Sequence, residues 1–224
     1  MKHFKYETHM HTRQGSECGI SSGAEMADYY KVLGYSGFVV TDHFFGGNIT
    51  RDCLNKPWEQ AIESFCSGYE DAKERGEEMD FDVFFGFEYA YHGTEFIILG
   101  LDKDWLLKNP DIIRLDIREA LTRFREAGGF LIHAHPYRER FYIPELRLLP
   151  ELTDAVEVIN ICNMNSWDKK AAIYAEKHDL IKTSGGDAHA VGMEPGGVIL
   201  QKRARTAEEF IKALKEKTHS LVYK

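Results

Sequence analysis

The chain is short of several things. Of its 224 residues only four are cysteines, Cys18, Cys53, Cys66 and Cys162. None forms a Cys-x-x-Cys pair, which disfavours a zinc ribbon and a disulfide framework. They read as reduced thiols of a cytoplasmic protein. No apolar run approaches the length of a bilayer span, so no membrane partner is expected. The opening residues, Met1-Lys2-His3-Phe4-Lys5, lack the apolar stretch of a secretion signal. Basic residues are outnumbered: 28 Lys and Arg against 36 Asp and Glu leave a formal net charge of -8. Nonspecific binding to nucleic acid or anionic membrane needs a basic surface and is therefore disfavoured. An anionic small substrate is not excluded, because bound divalent ions reverse the local field. No repeat, low-complexity segment or linker interrupts the chain, so a single domain over residues 1–224 is expected.

What is present is an apolar content of 43%, enough for a sizeable core. Short apolar runs alternate with helical patterns. Strands are expected at Phe4–Thr8, Gly37–Thr41, Val83–Phe87, Glu95–Leu101, Phe130–His133, Ala155–Ile159, Ile181–Ser184 and Val198–Leu200. A helix should start at Ser22, where Ser22 and Glu25 have capping-box spacing, and end near Leu33 before Gly34. Pro57 should open a second helix at its first position, running to about Gly76. Others are expected at Asp116–Ala127, Ser166–His178 and after Thr206, where Glu209 repeats the capping spacing. Strands separated by helices argue for an α/β fold with a mostly parallel sheet, either a barrel or a doubly wound open sheet. Both gather ligand sites at the carboxyl ends of their strands.

The histidines fall at those ends. His9 and His11 follow the first strand and His43 the second. Glu88 follows the third. His133 and His135 end the Phe130 strand, and Asp187 and His189 follow the Ile181 strand. A parallel barrel brings these six imidazoles and two carboxylates to one face. Imidazole nitrogen and carboxylate oxygen suit divalent zinc, manganese or iron. Residues at i and i+2 of an extended chain share a side. His9 with His11, His133 with His135, and Asp187 with His189 can each act together, and the carboxylate of Glu88 can bridge two ions. A lone histidine is more often structural or exposed, which is the expectation for His3, His178 and His219. Asp42 need only cap the turn after its strand.

The series His9-Met10-His11-Thr12, Thr41-Asp42-His43, Gly86-Phe87-Glu88, Ala134-His135-Pro136, Glu157-Val158-Ile159-Asn160 and Gly186-Asp187-Ala188-His189 resembles the PHP (polymerase and histidinol phosphatase) superfamily. The resemblance implies a distorted (β/α)7-type barrel with its site at the C-terminal ends of the strands. It also implies two or three divalent metal ions and phosphoester hydrolysis by metal-activated hydroxide. By the same resemblance one ion would be held by His9, His11, Glu88 and Asp187, a second by Glu88 and His135, and a third by Glu17, His43 and His189. The family often has a further histidine where this chain has Ile97. His133 is the expected replacement, with His92 as the other candidate.

Glu88, Asp187 and His189 are the expected catalytic residues, with a protonated His189 or a third ion assisting the leaving group. Arg138, with Arg13 and Arg140 behind it, is the candidate phosphate clamp, since a guanidinium matches phosphate with paired hydrogen bonds. Asn160 is expected to orient substrate or a ligand. The partner is thus a small phosphorylated substrate; histidinol phosphate, a nucleotide, a phosphorylated sugar and an oligonucleotide end all fit. Two other readings compete. An amidohydrolase also starts with His-x-His, but typically adds a mid-chain lysine and closes with a lone Asp. A noncatalytic metal-binding module is the other.

Overall fold

Runs of four apolar residues are too short to bury themselves as helices, and here they pair as strands. The structure, a computed structural model, describes residues 3–223. Among these, nine strands form one sheet: β1 (Phe4–Glu7), β2 (Gly37–Val40), β3 (Asp82–Tyr91), β4 (Thr94–Leu99), β5 (Phe130–His133), β6 (Ala155–Asn160), β7 (Ile181–Gly185), β8 (Val198–Leu200) and β9 (His219–Leu221). Seven α-helices accompany them: α1 (Gly23–Val32), α2 (Arg51–Leu54), α3 (Trp58–Glu78), α4 (Lys103–Lys108), α5 (Ile117–Glu126), α6 (Asn165–Lys177) and α7 (Ala207–Lys215). The strand order is β7-β6-β5-β4-β3-β2-β1-β8-β9. The sheet curls until its ends nearly meet. Met10, beyond β1, bridges Ala188, beyond β7, and the Ser184 hydroxyl of β7 donates to Val222 O beside β9 at 2.8 Å. The result is the distorted, nearly closed barrel that the motifs implied.

The sheet is less parallel than expected. β1, β2 and β3 run parallel, as do β5, β6 and β7, but β4 is antiparallel to both of its neighbours. The cause is local. His92 and Gly93 both have positive φ, 47° and 80°, and Tyr91 pairs directly with Thr94. That is a two-residue hairpin of the kind whose twist matches its flanking strands, so β4 turns straight back on β3. β8 and β9 are also antiparallel to their neighbours.

Alternation sorts the side chains. Tyr6, Val39, Phe84, Ile97, Phe130 and Ile132 face into the barrel, and Phe210 and Leu214 of α7 join them at the end away from the histidines. The outer faces pack on helices. Phe87 and Phe96 meet Phe65 of α3 and Phe124 of α5. Phe38 meets Met26 and Tyr30 of α1, and Val156 and Val158 meet Tyr174 of α6. Each buried phenylalanine contributes about 1.5–3 kcal/mol by leaving water. The caps formed as read: Ser22 and Glu25 exchange hydrogen bonds at α1, and Thr206 accepts from Glu209 N–H at α7. Pro57 is the N-cap of α3 and not its first helical residue. Among the described residues no helix is long and apolar enough to cross a membrane.

Candidate metal centre

The strand ends converge as the motifs required. His9 Nε2 lies 3.2 Å from Glu88 Oε1 and 3.6 Å from Asp187 Oδ1, and His11 Nε2 lies 3.2 Å from Asp187 Oδ1 and 3.7 Å from Glu88 Oε2. Four donors about 2.0–2.2 Å from one tetrahedral centre sit roughly 3.3–3.6 Å apart. The observed spacings of 3.2–3.7 Å lie close to that edge length, with His9 against one oxygen of Glu88 and His11 against the other. His9 Nε2, His11 Nε2, His43 Nδ1 and Glu88 Oε2 are buried without a hydrogen-bond partner. A buried polar atom left unpaired is costly, so the residues present fit a divalent cation.

Three imidazoles have their outer nitrogen fixed, which decides the tautomer. His9 Nδ1 donates to Glu157 Oε1 at 3.0 Å, His11 Nδ1 lies 3.3 Å from Ser16 Oγ, and His189 Nδ1 donates to Asp187 O at 2.8 Å. Ser16 in turn donates to Asp42 Oδ1 at 2.7 Å, so its oxygen accepts from His11. In each case Nε2 keeps a free lone pair. Such partners orient ligands and raise their basicity. Sequence reasoning gave Glu157 no role of its own and treated Asp42 as a turn cap. Asp42 instead ties down the His11 loop, accepting from Thr12 N–H at 2.7 Å and the Thr12 hydroxyl at 2.6 Å. Glu157 also accepts from His135 N–H at 3.0 Å and Asn160 Nδ2 at 2.8 Å.

His135 and Asp187 both have left-handed backbone, with φ of 29° and 53°. Non-glycine residues rarely adopt this and it persists only where the surroundings over-determine it. For His135 the turn is what aims the ring inward. Its Nε2 lies 3.2 Å from Glu88 Oε1 and 3.6 Å from Glu95 Oε2. Glu95 Oε1 is also 3.9 Å from His43 Nδ1, which is 2.7 Å from Glu88 Oε2. Glu95 was missed in the sequence. It lies two residues before Ile97 on the same face of β4, while Ile97 packs in the barrel interior.

Several expectations need correction. His133 does not share a side with His135. Ile132 and Ala134 face the barrel interior, and His133 stacks outside on Phe96, with centroids 4.3 Å apart, and meets Tyr174 of α6 edge-on at 6.2 Å. It completes no group of candidate ligands among the described residues. His92 is exposed in the hairpin turn. Glu17 points outward at Arg51, with its Oε1 3.5 Å from Arg51 Nε; the adjacent Cys18 lines the cleft instead. Arg13 is exposed and pairs with Glu25 at 3.3 Å, away from the cluster. Asn160 is fully buried and accepts from Arg138 Nη2 at 2.8 Å, so it positions neighbours and does not face substrate. Arg138 does reach the site: its Nη2 is 2.6 Å from Asp187 Oδ2.

The charges reinforce one another. Burial alone would raise the Glu88 and Asp187 carboxyls, yet both are held well below the usual range. His43 and His9 do this for Glu88, and His9 and Arg138 for Asp187. Burial, together with the charge of His43, lowers His11 to about 3. Burial and the nearby Glu88 raise Glu95 to about 7. Above the cluster opens a cleft of about 700 Å³, lined among others by His43, Glu95, Arg138, Arg140, Tyr142 and His189.

No protein-family model matches the chain. It is 33% identical over 153 residues to an uncharacterized protein of Methanocaldococcus jannaschii, a match covering 61% of this chain and 62% of that protein. The match thus spans less than two thirds of that curated relative's length. Among solved structures, a two-domain protein from Bacteroides vulgatus containing a predicted PHP-like metal-dependent phosphoesterase superposes with a TM-score of 0.75 at 14% identity, covering 99% of this chain and 65% of that one. A proposed metal-dependent phosphoesterase from Bifidobacterium adolescentis gives 0.59 at 16% identity, covering 93% and 95%. An amidohydrolase from Chromobacterium violaceum, with bound sulfate and no metal, gives 0.56 at 16% identity, covering 97% and 97%. At these identities the likeness is one of fold, a distorted and nearly closed α/β barrel.

Proposed function

We propose that the protein is a metal-dependent phosphoesterase acting on a small phosphorylated substrate. The observation that carries this reading is the set of buried, unpartnered ligand atoms brought within 4.8 Å of one another in groups of three, opening on a cleft. His9, His11, Glu88 and Asp187 would hold one ion, and Glu88, His135 and Glu95 a second. Ions held there would polarise the phosphate and acidify a water molecule. The chain's own contribution is orientation and charge. Arg138 is the phosphate clamp: its guanidinium is fixed by Asn163 at 2.9 Å, Asn160 at 2.8 Å and Asp187 at 2.6 Å. A preorganised cation of this kind offsets charge that grows on the phosphate oxygens.

The amidohydrolase reading is kept in view by the Chromobacterium likeness. Against it, no lysine lines the cleft among the described residues. The test is a phosphate-release screen over phosphorylated metabolites with manganese, zinc and ferrous iron in turn. Turnover of one phosphoester class above the rest is the expected result. Amide hydrolysis without phosphate release would favour the rival enzyme, and bound metal without turnover of either kind would favour the noncatalytic module.

A further inference from the structure

In a regular strand, residues three apart point to opposite faces. The Glu157 and Asn160 side chains of β6 nevertheless meet, with Asn160 Nδ2 donating to Glu157 Oε2 at 2.8 Å. A β-bulge makes this possible. Glu157 pairs with Thr183 and Ile159 pairs with Ser184, the very next residue of β7, so Val158 is extra. Val158 and Ile159 both pack on the α6 side, and Asn160 returns to the side of Glu157. Bulges recur beside active sites because they re-aim a side chain in this way.

The neighbours dictate which way the Asn160 amide points. Its Oδ1 accepts from Arg138 Nη2 at 2.8 Å and from Cys162 N–H at 2.9 Å. Turned over, the amide would set its NH2 against a guanidinium and an N–H, and its oxygen against the Glu157 carboxylate. Asn163 takes the other edge of Arg138, accepting from Nε at 2.9 Å. Asp168 Oδ1, near the start of α6, ties the two asparagines together, accepting from Asn160 N–H at 3.3 Å and Asn163 Nδ2 at 3.2 Å. With its other oxygen Glu157 accepts from His9 Nδ1 at 3.0 Å. One amide and one carboxylate thus join the Arg138 guanidinium to an imidazole of the metal cluster. Asn160 is fully buried, so solvent does not make good a bond lost there.

We propose that Asn160 is a positioning residue shared by the substrate grip and the metal grip: its oxygen holds the Arg138 clamp and its NH2 holds Glu157, which sets His9. The inference rests on reading the cluster as the metal centre of a phosphoesterase with Arg138 as its phosphate clamp. A single rigid amide then fixes where the substrate phosphate lies relative to the ion. Such fixed spacing matters because a small misplacement of reacting groups costs rate heavily. Asn163 serves the clamp alone, and Glu157 serves the His9 side.

The test is two calorimetric titrations of the full-length protein: manganese into metal-free protein, then inorganic phosphate into protein saturated with manganese. Asn160→Leu, close in shape but without the amide, should bind manganese ~10–100-fold more weakly and phosphate about tenfold more weakly. Asn163→Ala should weaken phosphate and leave manganese unchanged. Glu157→Gln should weaken manganese and leave phosphate unchanged at saturating metal, which shows that the phosphate loss in Asn160→Leu is not a by-product of the metal loss. A role confined to the fold would lower the urea midpoint of Asn160→Leu and leave both affinities in place, and that result would overturn the proposal. Loss of one affinity without the other would overturn it equally. Should Asn160→Leu not fold, Asn160→Ala takes its place with the same paired loss expected. Wild-type protein that binds manganese but no phosphate would remove the clamp, and wild-type protein that binds no manganese would overturn the metal-centre reading; the shared role of Asn160 falls in either case.

Discussion

A carboxylate between two cations differs from its amide by one charge and one good ligand atom, and Glu88 is where that difference should show. Its two oxygens face His9 and His135 on one side and His11 and His43 on the other. Glu88→Gln should lower the metal content by at least one ion per chain and activity by more than ~100-fold, the upper end of what losing a mere supporting partner costs. Elemental analysis and turnover, with circular dichroism to confirm the fold, check this; unchanged metal content would remove Glu88 from the bridge. His133 makes the opposite case. Burial, with the nearby His135, lowers it to about 3, so it is neutral in the fold. A histidine whose folded pKa is depressed stabilises fully above its unfolded value of about 6.5, and that stability is lost as pH falls below it, by about 1.4 kcal/mol per unit. His133→Phe should keep every ion and flatten the acid side of the stability curve between about pH 6.5 and 5. Urea unfolding of the metal-free variant beside metal-free wild type measures it.

At the scale of elements, the end of β7 is built around side chains from other strands. A Cβ on Gly185 would stand 2.1 Å from Glu157 Oε1 and 2.6 Å from His9 Cβ. A Cβ on Gly186 would meet Glu7 Oε2 at 2.6 Å. Glu7 is itself a buried clasp at the barrel's seam, accepting from His9, Gly186 and Gly196 N–H and the Tyr30 hydroxyl. These glycines are needed for close approach, and both have φ outside the left-handed region. Gly185→Ala should push Glu157 off His9 Nδ1. We expect a loss of about 1–3 kcal/mol from overpacking and a ~10–100-fold weaker metal affinity. Chemical unfolding and metal titration read the two separately, and an unchanged affinity would show that Glu157 does not orient His9.

For the whole molecule, ions held by the proposed ligands would tie the ends of β1, β2, β3, β5 and β7 together. Each ion at a hundredfold excess over its Kd adds about 2.7 kcal/mol, which for a chain of this size is roughly 5–10 °C in Tm. Chelation should lower Tm accordingly and metal should restore it, with at least two ions per chain at saturation. A Tm indifferent to chelator, in protein proven by elemental analysis to have carried metal, would mean that the ions do not brace the barrel.

The order of the motifs along the chain was enough to place His9, His11, His43, Glu88, His135, Asp187 and His189 together, because each follows a short apolar run and parallel strands end on one face. The capping pairs at Ser22 and Thr206 were equally local and equally legible. Glu95 was not, because the His92-Gly93 hairpin reverses β4, so that a residue at the start of the strand, and not one at its end, meets the site. The outward turn of His133 depended on which face Ile132 and Ala134 bury, and the inward turn of His135 on a left-handed φ that no period predicts. That Glu17 turns outward while Cys18 lines the cleft goes with loop bonds to Asn48 and His189, residues far along the chain. Local spacing thus determined which residue types reach the strand ends, while strand direction, backbone handedness and loop anchoring, which depend on contacts distant in sequence, decided which of them face the centre.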